Sequence, residues 1–237
     1  MFTDLKPESV PDLWQAVAKG DAARIDDFLI TVNVPGVPRA VDFGRSRGNY
    51  EERIFRDGVL PMRKGSLHDF YNLLAWARFP LSKRAINQIH HDAMAVEFAS
   101  GVSRRGPCRD FLTLLDEAGV LVMVDSQVCP SAVAAAIRDA RENLSFDEYS
   151  GAVRRLLKDA GARLDIFGHA LLESRDLRPE SVPHVGAFAV ILQAPSGTSL
   201  LADRLLASWL QDHHHELHPA LFPSLRLDIV FQSTHES

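Results

Sequence analysis

The sequence predicts an α+β fold, a mainly helical single domain over residues 1–237 with a small sheet of about three short strands. Three observations carry that reading. Most apolar residues recur at intervals of three and four, the rhythm of a helix with one buried face, and these segments begin and end at recognisable caps. Only Val120–Asp125, Ala187–Leu192 and Leu225–Phe231 are short apolar runs bounded by turn residues, too few strands for a repeating strand–helix–strand unit. The composition, 46% hydrophobic and 24% charged over 237 residues, is that of an ordinary globular chain able to bury a full-sized core.

In chain order, Asp12–Lys19 closes at Gly20 and Ala22–Ile30 opens at Asp21, giving an N-terminal helical arm over residues 1–31. The prolines and glycines of Val34–Asn49 oppose any regular element and predict a long surface loop. A helix over Tyr50–Asp57 follows, capped by Asn49 and stopped by Gly58. Leu67–Arg78 is opened by Ser66 and broken by Pro80, and Lys83–Ala99 is capped by Ser82 and stopped by Gly101, so the two predict an antiparallel pair with a tight joint. Arg109–Glu117 leads at helical spacing into the strand at Val120. Ser131–Arg141 and Phe146–Asp159 read as helices, the second opened by the capping box Ser145 to Glu148 and closed near Gly161. Arg175–Gly186 is linker-like, and a last long helix spans about Ser199–His215. The motif-bearing core covers residues 50–180.

The net charge of −5 disfavours nucleic acid as a partner, since that role usually needs a basic face to displace counterions from phosphates. Arg45 with Arg47 and Arg104 with Arg105 are clusters too small to change this. No apolar run approaches the roughly 20 residues that cross a bilayer, and the opening MFTDLKPESVPDLW lacks the basic-then-apolar order of a secretory signal, so no membrane association and a cytoplasmic location are expected. The two cysteines, Cys108 and Cys129, have neither disulfide-framework nor zinc-knuckle spacing and are expected to be reduced and structural. Neither a Gly-x-Gly-x-x-Gly run nor a phosphate-binding Gly-Lys-Ser loop occurs, so cofactors held by those loops are not supported.

Four clusters are candidates for chemistry. In Leu67–Arg78 a turn of about 100° per residue puts His68, Asn72 and Trp76 on one stripe, with Asp69 beside it as the N3 acid of a capping box from Ser66. In the next helix Lys83, Asn87 and His90 or His91 form a second stripe, and Asn87, a poor helix former in mid-helix, calls for a specific hydrogen bond. Arg109, Asp110, Asp116 and Glu117 form a third cluster, in which Asp116 and Glu117 stand at a helix-to-strand joint and are free to face a pocket. His169 and Glu173, four apart, share a face in either a helix or a strand and make an imidazole–carboxylate pair: a general base, a metal ligand with its supporting acid, or a structural pair.

Two other motifs fail. His213-His214-His215-Glu216-Leu217-His218 lacks the two residues between Glu and the last His that a zinc-protease helix needs, and reads as a surface helix end. His91-Asp92 has the dipeptide of His-Asp phosphohydrolases, but it is short and common.

The order of the remaining motifs carries a resemblance. Tyr50-Glu51, His68-Asp69-x-x-Asn72 with Trp76 and Phe79-Pro80, Lys83-x-x-x-Asn87-x-x-His90, Arg109-Asp110-x-x-Thr113-x-x-Asp116-Glu117-x-Gly119 and Gly168-His169-Ala-Leu-Leu-Glu173 together resemble a bacterial family, domain of unknown function number three thousand and twenty-five. The resemblance covers about residues 50–180. It implies a proteobacterial type of source, brings no established activity, and favours His90 over His91.

Two functions follow. The first is a small-molecule enzyme, a hydrolase, whose pocket gathers His68, Asn72, Asn87, Lys83, Arg109, His169 and Glu173 as catalytic candidates. His90, Asp116 and Glu117 are the candidate ligands of a divalent metal, the one cofactor considered, which would acidify a water for attack. In a metal-free version His169 is the base, Glu173 orients it, and Lys83 or Arg109 steadies an anion. The second is a non-catalytic binding or regulatory module in which the same residues form a structural hydrogen-bond network and leave no cleft. Whether the chain is an enzyme, and its oligomeric state, are left open by the sequence. A third use, nucleic-acid binding through the loop around Arg45 and Arg47, ranks last.

Overall fold

The structure is a computed structural model that describes residues 9–44, 49–101, 104–177, 186–194 and 201–233. Helices dominate and two small sheets accompany them. Helix α1 (Pro11–Lys19) ends where Gly20, at φ +71°, gives its N–H to the Ala16 and Val17 carbonyls, and α2 (Ala22–Val32) starts where the Asp21 carboxylate accepts the Arg24 N–H. These are the arm helices, and their Leu13, Val17, Ile25 and Leu29 are buried in the same apolar cluster as Phe70 and Trp76 of the motif region.

The segment expected to be wholly loop contains β1 (Ala40–Asp42), which pairs in parallel with β2 (Val59–Pro61). Between them α3 (Tyr50–Glu52), capped by Asn49, widens into a π-helical turn over Arg53–Asp57 that ends at Gly58, φ +64°. Strands of three residues are too short to show alternation, which is why sequence pattern misses them.

Helix α4 (Leu67–Arg78) and α5 (Pro80–Ala99) follow. The α5 helix starts at Pro80 and not at Lys83: Pro80 sits at the first turn, and the Leu81 and Ser82 N–H groups, which have no partner within the helix, are taken by Asp203 at 3.0 and 2.7 Å. Ser82 is therefore not the cap. Its hydroxyl donates to Asp203 as well.

Next come α6 (Pro107–Ala118), β3 (Gly119–Asp125), α7 (Pro130–Asn143), α8 (Phe146–Asp159), β4 (Arg163–Ile166), α9 (His169–Leu177) and β5 (Gly186–Ala194). The α8 capping box between Ser145 and Glu148 is present as expected. Then α10 (Ala202–His213) continues as a 3₁₀ turn over His214–Glu216, and β6 (Ser224–Arg226) passes directly into α11 (Leu227–Ser233). Leu225–Phe231 is thus a short strand and a helix, an apolar run whose periodicity alone cannot separate the two. The expected start at Ser199 and most of the expected linker, residues 178–185, lie outside the described residues.

The larger sheet has the order β4-β3-β5-β6, with β3 parallel to β5 and both outer pairs antiparallel. With β1 and β2 this makes six strands in two sheets among the described residues, against about three expected. Successive residues of a strand face opposite sides, and here both sides are covered. Val120, Val122, Val124, Ala187 and Ala189 pack with α1, α2, α4, α7, α8, α9 and α11. Leu121, Met123, Phe188, Val190 and Leu192 pack with α5, α6 and α10. The result is a helix–sheet–helix arrangement in which α4 and α9 belong to one layer, α5 and α6 to the other. No helix among the described residues is long and apolar enough to cross a membrane.

Candidate functional site

A polar cleft of about 520 Å³ opens where those two layers meet. Helix α6 forms one wall. Arg109, Thr113, Asp116 and Glu117 follow at steps of four, three and one, so all four lie on one helical face and all line the cleft. His68 and Asn72 come from the first turns of α4, His90 from α5, His169 from the first position of α9, and Tyr50 and Glu51 from α3.

The approach of α9 to α6 depends on one glycine. Gly168 donates its N–H to the Gly119 carbonyl at 2.8 Å. A Cβ at Gly168 would stand 2.5 Å from both the Glu117 carbonyl oxygen and the Gly119 nitrogen. No side chain fits there, and the next residue, His169, is carried against Glu117.

The start of α4 is fixed in another way. The Ser66 hydroxyl accepts the Asp69 N–H at 3.2 Å, half of the expected capping box. The Asp69 carboxylate does not complete it. It turns to Arg63 instead, taking the backbone N–H and both Nε and Nη2 at 3.0 and 2.8 Å. Burial works to raise the Asp69 pKa, but the guanidinium outweighs it and holds the carboxyl below its ordinary range.

Within the cleft the Nε2 atoms of His68 and His169 are 3.1 Å apart, and Oε2 of Glu117 lies 3.8 and 3.5 Å from them. A tetrahedral cation with ligand bonds of about 2.0–2.2 Å has ligand–ligand edges of about 3.3–3.6 Å, so these separations fit three corners of one coordination shell. Behind the ligand atoms, Nδ1 of His68 lies 3.0 Å from the Glu173 carboxylate, and Nδ1 of His169 lies 3.8 Å from Asp116. Burial pushes the His169 pKa down to about 4, which keeps the ring neutral and its lone pair available at neutral pH. Burial, together with Asp116 and Glu173 nearby, raises the Glu117 carboxyl above its ordinary value even though His68 opposes it.

Around this trio the side chains are occupied by one another. Lys83, 4% exposed, donates to Asp116 and to Asn72 Oδ1 at 2.7 Å, with its ammonium 5.3 Å from the Trp76 ring centroid. Asn72 Nδ2 donates to the Tyr50 hydroxyl at 2.6 Å. Asn87 finds the partner its mid-helix position calls for, donating to the Glu51 carbonyl and carboxylate at 2.9 and 2.6 Å. Burial raises the Glu51 carboxyl and, more strongly, the Tyr50 phenol, so the phenol stays protonated. For Asp116 burial is overcome by the Lys83 ammonium and the nearby imidazoles, and its pKa falls.

The sequence-based candidates therefore divide. His68, Glu117 and His169 form the one cluster of metal-ligating geometry found among the described residues. His90 and Asp116, expected beside Glu117 as metal ligands, are not part of it: Asp116 is held by Lys83, and His90 stands apart with its Nδ1 buried and without a partner. His68, expected as a catalytic group, stands in the ligand cluster. Glu173 does not orient His169, because their four-residue spacing is overridden by contact between α4 and α9, which gives Glu173 to His68. Lys83 has no free charge for a substrate anion. Arg109 is in the cleft wall, where Glu97 holds its Nη1 at 2.7 Å.

Arg63, a cleft residue the sequence did not single out, carries no motif signal, and an acid at Asp69 in need of a partner was the one hint for it; Arg105, read from the sequence only as part of a small basic cluster with Arg104, also lines the cleft. Tyr50 and Glu51 were visible in the motif order but had no role. His91 stacks on Phe55 with ring centroids 3.9 Å apart and pairs loosely with the exposed Asp92. His213 and His214 turn their Nδ1 atoms back to the Trp209 and Gln211 carbonyls, a helix end as expected. Cys108 and Cys129 are free thiols, and Arg45 and Arg47 lie outside the described residues.

Comparison with curated proteins and with solved structures gives no match for this chain. A family model described as "Protein of unknown function (DUF3025)" matches residues 40–225, which takes in every cleft residue and extends past the motif span at both ends. The chain belongs to the DUF3025 family.

Proposed function

We propose that this protein is a metal-dependent hydrolase of small molecules, with a divalent ion held by His68, Glu117 and His169. The supporting observation is the set of separations among Nε2 of His68, Nε2 of His169 and Oε2 of Glu117, 3.1, 3.5 and 3.8 Å, built from three helices distant in sequence. Two imidazoles and one carboxylate are the donor set of a catalytic zinc-type site, which keeps one position open. Glu173 fixes the tautomer of His68 by accepting its Nδ1 proton, the usual support for a metal-bound histidine. The ion would supply Lewis acidity for water-dependent bond cleavage.

The protein's own groups supply the rest. The Tyr50 hydroxyl accepts from Asn72 and keeps its own proton for a substrate oxygen, and the Glu51 carboxyl, raised by burial, is a proton carrier in the same cleft.

Protein purified without chelators is expected to carry about one equivalent of zinc or manganese per chain and to lose it in His68→Ala and His169→Ala. Hydrolysis of a panel of chromogenic esters, amides and phosphoesters should respond to chelation and to Glu117→Gln. Protein that neither retains metal nor shows a thermal shift with zinc or manganese rules this reading out.

The second reading, a binding module without catalysis, has one observation on its side. The Lys83, Asn72, Asp116 set and the Asn87, Glu51 pair are satisfied internally, as a structural network would be. The open cleft beside them is what such a network alone does not require.

A further inference from the structure

The cleft has two ends of different character, and α6 is the bar that joins them. Asp116 and Glu117 stand at the C-terminal end of its cleft face and Arg109 at the N-terminal end, with Arg105 just before the helix. Eight residues separate Arg109 from Glu117, a rise of about 12 Å. The metal-ligating geometry is at one end, where the Arg63 guanidinium is already held by Asp69, and Arg109 and Arg105 are at the other.

At the basic end two buried polar atoms have no partner. One is Nε of Arg109, whose Nη1 is held by Glu97 at 2.7 Å while the other Glu97 oxygen takes the Gly106 N–H at 2.8 Å. Glu97 thus clamps one corner of the guanidinium and leaves the Nε side, one of the two edges with which arginine grips a carboxylate or phosphate. The second is Nδ1 of His90, a residue 3% exposed that lines the cleft. Arg105 completes the group. Its Nη1 donates to the Thr113 hydroxyl at 2.9 Å and its nearest acid, Asp110, is 4.0 Å away, so its charge is weakly offset. A buried polar atom left unpaired costs roughly 1–3 kcal/mol, and one on Arg109 with another on His90, in a cleft wall that also holds Arg105, are explained by a ligand that pairs them.

We propose that Arg109, Arg105 and His90 form a subsite for an oxyanion, a carboxylate or a phosphate, carried by the substrate. Its role as a substrate subsite rests on the hydrolase reading; the binding of an anion does not. The two ends then select an acidic small molecule whose charged group lies roughly two helical turns, about 12 Å, from the bond brought to His68, Glu117 and His169.

The test is isothermal titration of the full chain, stripped of metal by chelator and dialysed at low ionic strength, with inorganic phosphate and with succinate against chloride-matched controls. Saturable binding is expected for at least one probe, and the stronger one identifies the class of anion. Arg109→Leu and Arg105→Leu should each weaken it about tenfold or more, with zinc uptake unchanged. Binding that persists in both variants, or no binding of either probe, overturns the subsite and leaves the metal reading standing. Arginine-dependent anion binding in a protein that takes up no metal does the reverse. If Arg109→Leu fails to fold because Glu97 loses its partner, Arg105→Leu and His90→Asn decide the matter by the same titration.

Discussion

The Nε2 atoms of His68 and His169 lie 3.1 Å apart although 101 residues separate them in the chain. Two imidazoles at that distance, His169 buried and His68 half-buried, share either one proton or one cation. The carboxylate of Glu117 facing both, and that of Glu173 behind one, favour the cation.

Glu173→Gln should leave the fold intact and weaken zinc affinity about 10–100-fold, because the Nδ1 proton of His68 loses a charged acceptor while all three ligand atoms remain. A competition titration with a zinc-responsive dye measures it. Unchanged affinity would remove Glu173 from the site.

Gly168→Ala should be disproportionately damaging for the smallest possible change. Its Cβ meets backbone atoms of residues 117–119 that have no rotamer to adjust. Overpacking of this kind costs about 1–3 kcal/mol, and relief by moving α9 would carry His169 off Glu117. Thermal melting and metal content, measured together, should both fall.

Lys83 and Asp116 should behave as a coupled pair. Lys83→Met leaves the Asp116 carboxylate without its main counter-charge and is expected to cost about 3–5 kcal/mol. Lys83→Met with Asp116→Asn removes the stranded charge as well and should be more stable than Lys83→Met alone. Urea denaturation of the four proteins in the cycle gives the coupling energy.

Acid should destabilise the protein in part through His90. Burial, with Arg109 nearby, pushes its pKa down to about 4 from an ordinary 6.5, so the unfolded chain binds more protons between those values and stability is lost as pH falls through them. By pH 5 this amounts to on the order of 2 kcal/mol relative to pH 7, or about 2–4 °C in melting temperature per kcal/mol. Glu51 and Asp203, raised by burial, take up protons in the folded state and offset part of the loss. Melting curves at pH 7 and pH 5 for wild type and His90→Asn isolate the His90 share: the variant should lose less. An equal loss in both would show that His90 is not held neutral by the fold.

What the sequence disclosed follows from how local each cause is. Gly20, Asp21, Asn49 and the Ser145–Glu148 box act within a few residues of themselves, and the helices they bound were legible. The cap of α5 was not, since Asp203 reaches it from 121 residues away. The same distinction runs through the site. Residue types and helical stripes pointed to His68, Asn72, Asn87, Glu117 and His169, and these meet at one cleft and its supporting network. Partner choice was hidden: Glu173 serves His68, 105 residues away, and not the histidine four before it. Strand β4, with Arg163 and Asp165 among its four residues, offered too little apolar pattern to be seen, yet it borders β3.

Helices α4 and α9 are rooted on one side of the central sheet and α6 on the other, so His68 and His169 reach Glu117 across the seam between the two layers. Lys83 of α5 also crosses that seam to Asn72 of α4, while the rest of the contact is largely greasy, which resists separation but sets little register. Anything clasped by those three groups acts as a rivet through the whole sandwich, and its removal should quicken amide exchange on both sides of the sheet at once.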